Sequence, residues 1–264
     1  MQKYLSYFQI SLKSMYAYKG DFFLYMAINM VFFYVSIALW STVYKSGGLT
    51  TIDNYTLSNT ITYYLISMLI FRFDINNALY FAEEIWSGEF TNNVMRPWNV
   101  ISSYFLLMVS DIFMGLLSFI PFLIFMVLTS YQFINIPTIG NLIFFCITLL
   151  AAFIMNFFFN LILHSLTFYF GDQYAQIELT NYVTSYFAGA IFPIAFLSGA
   201  LKEIFMILPF KFLFFIPAEI FLGKVSVHQM LLYWAEILVW IGIFYLIFSI
   251  VYNRGLKLYH GTGR

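Results

Sequence analysis

Long apolar stretches alternate with short polar segments along this chain of 264 residues. A helix that crosses the hydrocarbon core of a bilayer needs about 20 apolar residues. The stretches that reach this length predict spans at about 22–44, 57–80, 100–128, 139–170, 180–200 and 229–252. The second carries Arg72 and Asp74 in its last third, and the third and fourth are long enough to tilt or to protrude from the bilayer. The pattern therefore predicts an all-α membrane protein with six transmembrane helices.

The first 20 residues show a different pattern, with one apolar and one polar helix face. The apolar face holds Leu5, Phe8, Leu12, Met15 and Tyr16, and the polar face holds Gln2, Ser6, Gln9 and Lys13. This pattern predicts an amphipathic elbow helix over 1–20 that lies in the membrane interface. The alternative is an irregular tail that leads into the first span.

Residues 191–228, between the fifth and sixth spans, are apolar but contain several helix-breaking residues. These are Pro193, Gly199, Pro209, Pro217 and Gly223. A proline inside a helix costs about 3 kcal/mol, so one continuous helix is not expected. Broken helices at membrane depth are found where they pack in protein or line a cavity. The segment is therefore predicted to be re-entrant on the outer face, and the alternative is that it crosses the membrane fully.

The composition supports a membrane location. Hydrophobic residues make up 62% of the chain and charged residues 9%, whereas soluble domains carry about 25% charged residues. The net charge is zero, which argues against a nucleic-acid partner because phosphate binding requires a basic surface. The single cysteine, Cys146, excludes an internal disulfide. No linker or repeat is evident, so residues 1–264 are predicted to form one membrane domain.

Basic residues near the span ends give the orientation, because cytoplasmic loops are enriched in lysine and arginine. With six spans both termini share a side, and that side holds Lys3, Lys13, Lys19, Arg72, Arg96, Arg254, Lys257 and Arg264. The other side holds Lys45, Lys202, Lys211 and Lys224. The bias predicts a multi-pass protein of the cell membrane with both termini in the cytoplasm.

Motifs of enzymatic chemistry are not found in the sequence. The only Gly-Lys pair, Gly223-Lys224, lacks the surrounding residues of a phosphate-binding loop, so this chain is not expected to bind ATP. The three histidines are far apart and lie near no cysteine or carboxylate pair, so no metal site is predicted. The sequence has no nucleophile-elbow motif. We therefore predict neither an enzyme nor a cofactor-binding chain.

Ionisable residues inside the predicted spans are costly and are candidates for function. They are Asp111, His164 and Glu236. The alternative is that Asp111 and Glu236 are hydrated near the interfaces and that His164 is a hydrogen-bonded packing residue. A proton relay needs several aligned carboxylates, which the spans lack, so an ion-gradient-driven carrier is the weaker transport hypothesis. A non-transporting membrane scaffold or enzyme is a further alternative.

A polar segment at 82–98 separates the second span from the third. A short helix is predicted at its start, with apolar side chains on one side and more exposed carboxylates on the other. The apolar side chains are Phe81 and Ile85, and the carboxylates are Glu83 and Glu84.

The rest of this polar segment contains residues that end the helix and fix the chain direction. Gly88 breaks or caps the short helix, and Pro97 fixes the entry to the third span. Arg96 lies at the membrane surface, where it can pair with a carboxylate of a partner or with a lipid phosphate. The alternative is an ordinary solvated loop with an arginine at its end.

Several short motifs follow one another along nearly the whole chain. They are E-I-x-x-G at 84–88, M-R-P at 95–97, F-P-x-x-F at 192–196, L-P-F at 208–210, P-x-E-I-x-L-G at 217–223 and R-G-L-K-x-Y-x-G-x-G at 254–263. Each is weak alone, but the ordered set resembles the permease subunits of ABC type-2 transporters, in the bacterial branch that has a separate ATPase. Asn92 and Asn93 make the stretch before Arg-Pro more polar than in the family.

The resemblance implies six spans, an N-terminal interfacial helix, a cytoplasmic coupling helix between spans two and three, and re-entrant helices before the last span. It also implies separate ATPase subunits that bind ATP and Mg²⁺, and a second permease, either a copy of this chain or a paralogue. The charge-poor, aromatic-rich spans favour an exported amphipathic or hydrophobic substrate. Within the predicted coupling loop at 81–98, the residues expected at the ATPase contact are Glu83, Glu84, Ile85, Gly88, Arg96 and Pro97.

Overall fold

The computed structural model describes residues 19–71, 78–95, 99–171 and 174–259, and these residues form an all-helical fold. Within the described ranges the only β-type pairing is an isolated bridge between Ile52 and Tyr55. The predicted elbow helix at 1–20 lies almost entirely outside the described residues, since the first described helix begins at Lys19.

Eleven α-helices follow one another in the described part of the chain. They are α1 Lys19–Ser46, α2 Leu57–Ile70, α3 Ala78–Ser87, α4 Phe90–Val94, α5 Val100–Ser130, α6 Ile139–Ser165, α7 Thr167–Phe170, α8 Tyr174–Tyr182, α9 Gly199–Ile207, α10 Phe215–Phe221 and α11 Val227–Leu258. Single turns of 3-10 helix lie at Tyr131–Phe133, Ile194–Phe196 and Pro209–Phe212, and a π turn lies at Val183–Phe187.

Side chains before several helices fix where they begin. Thr56 accepts a hydrogen bond from the Asn59 amide at 3.2 Å, and Thr138 accepts one from the Asn141 amide at 3.2 Å. Ser226 and Gln229 form a reciprocal capping box at the start of α11. These bonds satisfy backbone amides that have no partner inside the first turn of a helix.

Four stretches among the described residues are long and apolar enough to cross a membrane. They are Met26–Ser46, Val100–Phe133, Ile139–Phe170 and Val227–Leu258. They coincide with the first, third, fourth and sixth predicted spans. The prediction of a multi-pass, all-helical membrane protein is therefore confirmed for these spans.

The other two predicted spans differ from the structure. Helix α2 has 14 residues, or about 21 Å at 1.5 Å per residue, which is less than the hydrocarbon core. The remainder of the span predicted at 57–80 includes residues outside the described part. The predicted single helix at 180–200 is wrong, because helical structure ends at Phe187 and Gly189 adopts a positive φ of 81°.

Helices α9 and α10 form a bent pair, a term used below for residues 199–221. Gly199–Ile207 and Pro209–Phe221 meet at an angle of 74° around Leu208. Leu208 is extended, with φ −68° and ψ 145°, as expected for a residue that precedes a proline. This geometry is that of a broken span or of a re-entrant loop. If the bent pair is counted as one span, the described residues contain at most five candidate spans.

The described residues divide into two compact units. The first unit comprises 19–71 and 109–136. Its core contains Phe33 of α1, Ile61 and Leu65 of α2, and Phe119, Phe122 and Met126 of α5. The Tyr44 hydroxyl donates a hydrogen bond to the Tyr55 carbonyl at 2.8 Å, and the Asn135 backbone amide donates one to the Thr62 hydroxyl at 2.8 Å. These two bonds fix the connections around this core.

The second unit comprises 78–95, 99–108 and 137–259 among the described residues. Helix α6 is its centre and packs against α10 and α11. The Trp234 indole of α11 donates a hydrogen bond to Thr148 of α6 at 2.8 Å. The second unit contains both segments to which the sequence assigned a function, the polar segment at 82–98 and the helix-breaking segment at 191–228.

Candidate functional site

Helices α3 and α4 form a short helical hairpin in the polar segment at 82–98. Gly88 connects them with a positive φ of 86°, a conformation that side chains with a Cβ rarely adopt. The predicted helix and its glycine break are therefore present. Arg96 and Pro97, the other two residues expected at the ATPase contact, lie outside the described residues.

One face of the hairpin is buried and the other is exposed. Phe81, Ala82, Ile85 and Phe90 are each at most 5% exposed. Glu83, Trp86, Ser87 and Glu89 are exposed, and Trp86 leaves 40% of its surface open. Glu83 therefore lies on the exposed face, as predicted. Ile85 packs inward and is not available for direct contact with a partner.

The buried face packs into an aromatic cluster, a name used below for Phe81, Phe90, Tyr104, Phe168, Tyr252 and Tyr259. The Phe81 ring lies 5.5 Å from Phe90, 5.2 Å from Tyr104 and 6.0 Å from Phe168, measured between ring centroids. Phe90 lies 5.6 Å from Phe168 and 5.5 Å from Tyr259. Edge-to-face pairs of this kind add about 0.5–1.5 kcal/mol each beyond the burial of their area.

Members of the cluster come from four separated parts of the chain. Tyr104 lies in the first turns of α5, Phe168 lies in α7, Tyr252 lies near the end of α11, and Tyr259 directly follows α11. The Tyr169 hydroxyl donates a further hydrogen bond to the Val251 carbonyl at 2.9 Å, which joins α7 to α11. The hairpin is thus held to the ends of three other helices.

Polar bonds support the same attachment. The Glu84 carboxylate accepts hydrogen bonds from the Tyr104 hydroxyl and from the Asn93 side-chain amide. Thr91 of α4 shares a hydrogen bond with the Tyr259 hydroxyl at 3.3 Å. Glu84 was predicted to be more exposed than Phe81 and Ile85, and it is half-buried. Its carboxylate forms its hydrogen bonds with side chains of the same chain, and these bonds orient Tyr104.

Gly255 is a further residue of this site that sequence reasoning placed only within a terminal motif. A Cβ atom at Gly255 would lie 2.6 Å from Cδ2, 2.9 Å from Cβ and 2.9 Å from Cγ of Phe168. Real Cβ atoms are not found this close to other heavy atoms, so α11 approaches Phe168 as it does because position 255 is a glycine. The sequence signal was an isolated glycine just beyond the last predicted span, between Arg254 and Leu256.

The intramembrane polar residues lie in three different environments. Asp111 is half-buried in α5. His164 is fully buried near the end of α6, one helical turn after Asn160 and two after Asn156, both of which are buried. Glu236 forms an ion pair with Lys211, with 2.7 Å between Nζ and Oε1. Glu236 therefore has a charged partner within the chain.

The buried row on α6 faces protein. Helix α8 contacts α6, and the residues that α8 buries are Gln176 and Thr180. Polar side chains between helices are typical of helix packing inside a membrane protein, where small and polar residues join neighbouring helices. This environment favours a packing role for His164 over a proton relay.

The residues predicted to break the helix in the segment at 191–228 lie at its bends. Pro193 precedes a 3-10 turn, Gly199 begins α9 with a φ of 61°, and Pro209 begins the turn after Leu208. Pro217 lies in the first turn of α10, and Gly223 follows α10 with a φ of 72°. A Cβ atom at Gly223 would approach the Asn141 side-chain nitrogen to 2.9 Å.

A cluster of metal-ligating side chains is not seen in the part of the chain that the structure describes. Among those residues, no three His, Cys, Asp or Glu side chains lie close enough to hold a metal ion. Cys146 is exposed on α6. The candidate functional site is the hairpin with its aromatic cluster, in which side chains from four parts of the chain pack together.

Comparisons with known proteins agree with the motifs. A family model described as "ABC-2 family transporter protein" matches residues 11–263. The comparisons with curated proteins and with solved structures gave no match. Members of the matched family are membrane-embedded permeases that carry out transport and associate with an ABC ATPase, and are not themselves catalytic enzymes. Because the match covers nearly the whole chain, this multi-pass membrane protein belongs to the ABC-2 transporter family as a permease.

Proposed function

We propose that this permease is the membrane subunit of an ATP-driven exporter and that the α3–α4 hairpin receives mechanical work from a separate ATPase. One observation carries the proposal: the hairpin is fixed to three helix ends on its buried face, and its opposite face is exposed. An element that only connected two spans would not need this attachment.

The aromatic cluster provides the contacts through which a displacement of the hairpin can reach other helices. Packed interiors are dense and have low compressibility, so a displacement of one packed element moves its neighbours. The hairpin packs on Tyr104 of α5, on Phe168 of α7 and on Tyr259 of α11. A push on the hairpin therefore moves the ends of these helices together, which is what a change between inward and outward access requires.

The exposed face defines the docking surface, a name used below for Glu83, Trp86, Ser87 and Glu89. Glu83, Trp86 and Ser87 follow the i, i+3, i+4 spacing that places side chains on one helix face. Buried tryptophans are common at the centres of protein interfaces, and charged residues are common at the rims. We expect the ATPase to offer an apolar pocket for Trp86 and basic side chains for the two glutamates. Arg96 and Pro97, which lie outside the described residues, are proposed to take part in the same contact.

The membrane topology proposed with this function follows the charge bias. Both termini and the docking surface lie in the cytoplasm, and the bent pair is re-entrant on the outer side. The elbow helix predicted at 1–20, which lies almost entirely outside the described residues, is proposed to contact membrane lipids. Six spans result if α2 with the residues that follow it, and α8 with the π turn at Val183–Phe187, each contribute to a crossing.

The assembly proposed for this transporter contains two permeases and two ATPase subunits. The second permease is a copy of this chain or a paralogue, and the ATPase subunits bind ATP and Mg²⁺. An amphipathic or hydrophobic substrate is favoured because the chain is 23% aromatic and only 9% charged.

Replacing Trp86 with Ala is expected to weaken ATPase binding by about tenfold to a hundredfold, because truncation of a central aromatic residue removes about 2 kcal/mol or more of interface energy. The measurement is the affinity of the full-length protein, in lipid nanodiscs, for the ATPase that co-purifies with it. Tyr131→Ala is the matched control, since Tyr131 is an aromatic residue that is 75% exposed and lies outside the hairpin. Equal affinities for the two variants would contradict the proposal.

A further inference from the structure

The bend between α9 and α10 contains a lysine that is nearly completely buried. Lys211 lies in the 3-10 turn Pro209–Phe212, and its side chain is 5% exposed. Its ammonium group donates to the Met206 carbonyl at 2.6 Å and contacts both oxygens of the Glu236 carboxylate, at 2.7 and 2.9 Å. These contacts match the donor capacity of one ammonium group.

These contacts join three parts of the second unit. Met206 belongs to the last turn of α9, where backbone carbonyls have no partner inside the helix and favour a nearby positive charge. Lys211 follows the bend, so its bond to Met206 closes the angle between the two helices. Glu236 belongs to α11, so the ion pair fastens the bend to the last span.

Aromatic rings cover the ammonium group on its other sides. Its nitrogen lies 5.0 Å from the centroid of the Phe212 ring and 5.5 Å from that of Tyr233. Both distances are within the range at which a cation is attracted to the face of a ring. Phe212 belongs to the bent pair and Tyr233 belongs to α11, and the two rings also contact each other at 6.0 Å.

We propose that Lys211 and Glu236 form a latch that holds the bent pair against α11 and that opens during the transport cycle. The proposal goes beyond the docking surface and does not depend on it, because the latch is built from different residues. It assigns the two side chains as positioning residues for transport. The family match gives no role to either of them.

The energetics of buried ion pairs favour a latch over a simple stabilising contact. Replacing such a pair with apolar residues is often neutral or stabilising, whereas removal of one partner leaves an unpaired buried charge and is strongly destabilising. A permanent attachment between the bent pair and α11 could therefore be made by apolar side chains alone. An ion pair has the additional property that it can separate when each charge has an alternative environment.

Both charges of this pair have such an environment. The Glu236 side chain is 35% exposed, so its carboxylate can be hydrated when the bent pair moves away. Lys211 keeps its bonds to the Met206 carbonyl and its contact with Phe212, which move with it. The structure thus shows a closed state with the ion pair made; in the proposed open state the Glu236 carboxylate is hydrated and Lys211 retains a weaker set of contacts.

The first test measures amide hydrogen exchange of the full-length protein in lipid nanodiscs. Glu236→Gln is expected to raise exchange in residues 199–221 by about tenfold or more, because opening of the bent pair controls exchange there. The double variant Lys211→Met with Glu236→Met is expected to return exchange to within about threefold of the wild type, because no buried charge remains. Lys202→Met is the matched control, since Lys202 lies in α9 and bonds to the Ala195 carbonyl at 3.0 Å.

Three results would overturn the latch. The first is unchanged exchange in Glu236→Gln, and the second is a double variant that exchanges faster than either single variant. The third is a rise in the exchange of α6 that is as large as the rise in residues 199–221, which would mean general unfolding. None of these results depends on an ATPase, so they are separate from a failure of the docking surface.

The second test uses the complex with the co-purifying ATPase. Addition of ATP is expected to raise exchange in 199–221 of the wild-type protein by about threefold or more as the latch opens. Exchange that does not change with ATP, in a complex that hydrolyses it, would show a static contact and would overturn the opening step.

Discussion

Phe81→Ala is expected to detach the α3–α4 hairpin from the rest of the permease. Phe81 is 1% exposed and contacts four other rings of the aromatic cluster, Phe90, Tyr104, Phe168 and Tyr252. Truncation of a buried phenylalanine to alanine costs about 3–5 kcal/mol. The Phe81 ring packs α3 on α5, α7 and α11, so most of this cost is expected as local opening of the hairpin.

The measurement for Phe81→Ala is amide exchange in residues 78–95, which should rise by about a hundredfold or more. Affinity for the ATPase should fall as well, although the docking surface keeps all its side chains. Phe170→Ala is the control, because Phe170 is 71% exposed and lies just beyond Phe168 in α7. Exchange in Phe81→Ala that matches the control would mean that the aromatic cluster does not hold the hairpin.

Gly255→Ala is expected to have the second largest effect, through overpacking of the same cluster. The added Cβ atom would lie 2.6 Å from a ring carbon of Phe168 and 2.9 Å from the Phe168 Cβ, so the backbone of α7 or α11 must shift. Overpacking costs about 1–3 kcal/mol, whereas glycine to alanine in an open helix position gains about 1 kcal/mol.

The control for this prediction lies in the same helix. Gly242 is also in α11, and a Cβ atom there would meet nothing within 4 Å. Gly242→Ala is therefore expected to raise the thermal unfolding midpoint. Gly255→Ala is expected to lower both the thermal unfolding midpoint and the affinity for the ATPase. Equal shifts of the midpoint in the two variants would contradict the close approach between α11 and Phe168.

The sequence was sufficient for features that depend on local patterns. Apolar length predicted the helices at α1, α5, α6 and α11, and the alternation of polar and apolar residues predicted that Phe81 and Ile85 lie on one side of a short helix. Gly88 was predicted to break this helix, and it does so with a positive φ. Prolines predicted that the segment at 191–228 is not one helix.

Features that depend on distant contacts could not be predicted. The partner of Glu84 is Tyr104, 20 residues along the chain, and the partner of Lys211 is Glu236, 25 residues along. Lys211 was counted among the charges of the outer face, but the structure buries it against α11. Hydropathy also overestimated the length of the helix at 180–200, because hydropathy measures apolar content and takes no account of the turn at Gly189.

Site-specific photocrosslinking in membranes would show whether the exposed face of the hairpin contacts the ATPase. A photoreactive residue would be placed at Glu83 or Trp86 on the docking surface, and at Ile85 or Phe90 on the buried face as controls. We expect crosslinks to the ATPase from the first two positions, and crosslinks only within the permease from the other two. Crosslinks to the ATPase from neither Glu83 nor Trp86, in a complex that hydrolyses ATP, would contradict this contact.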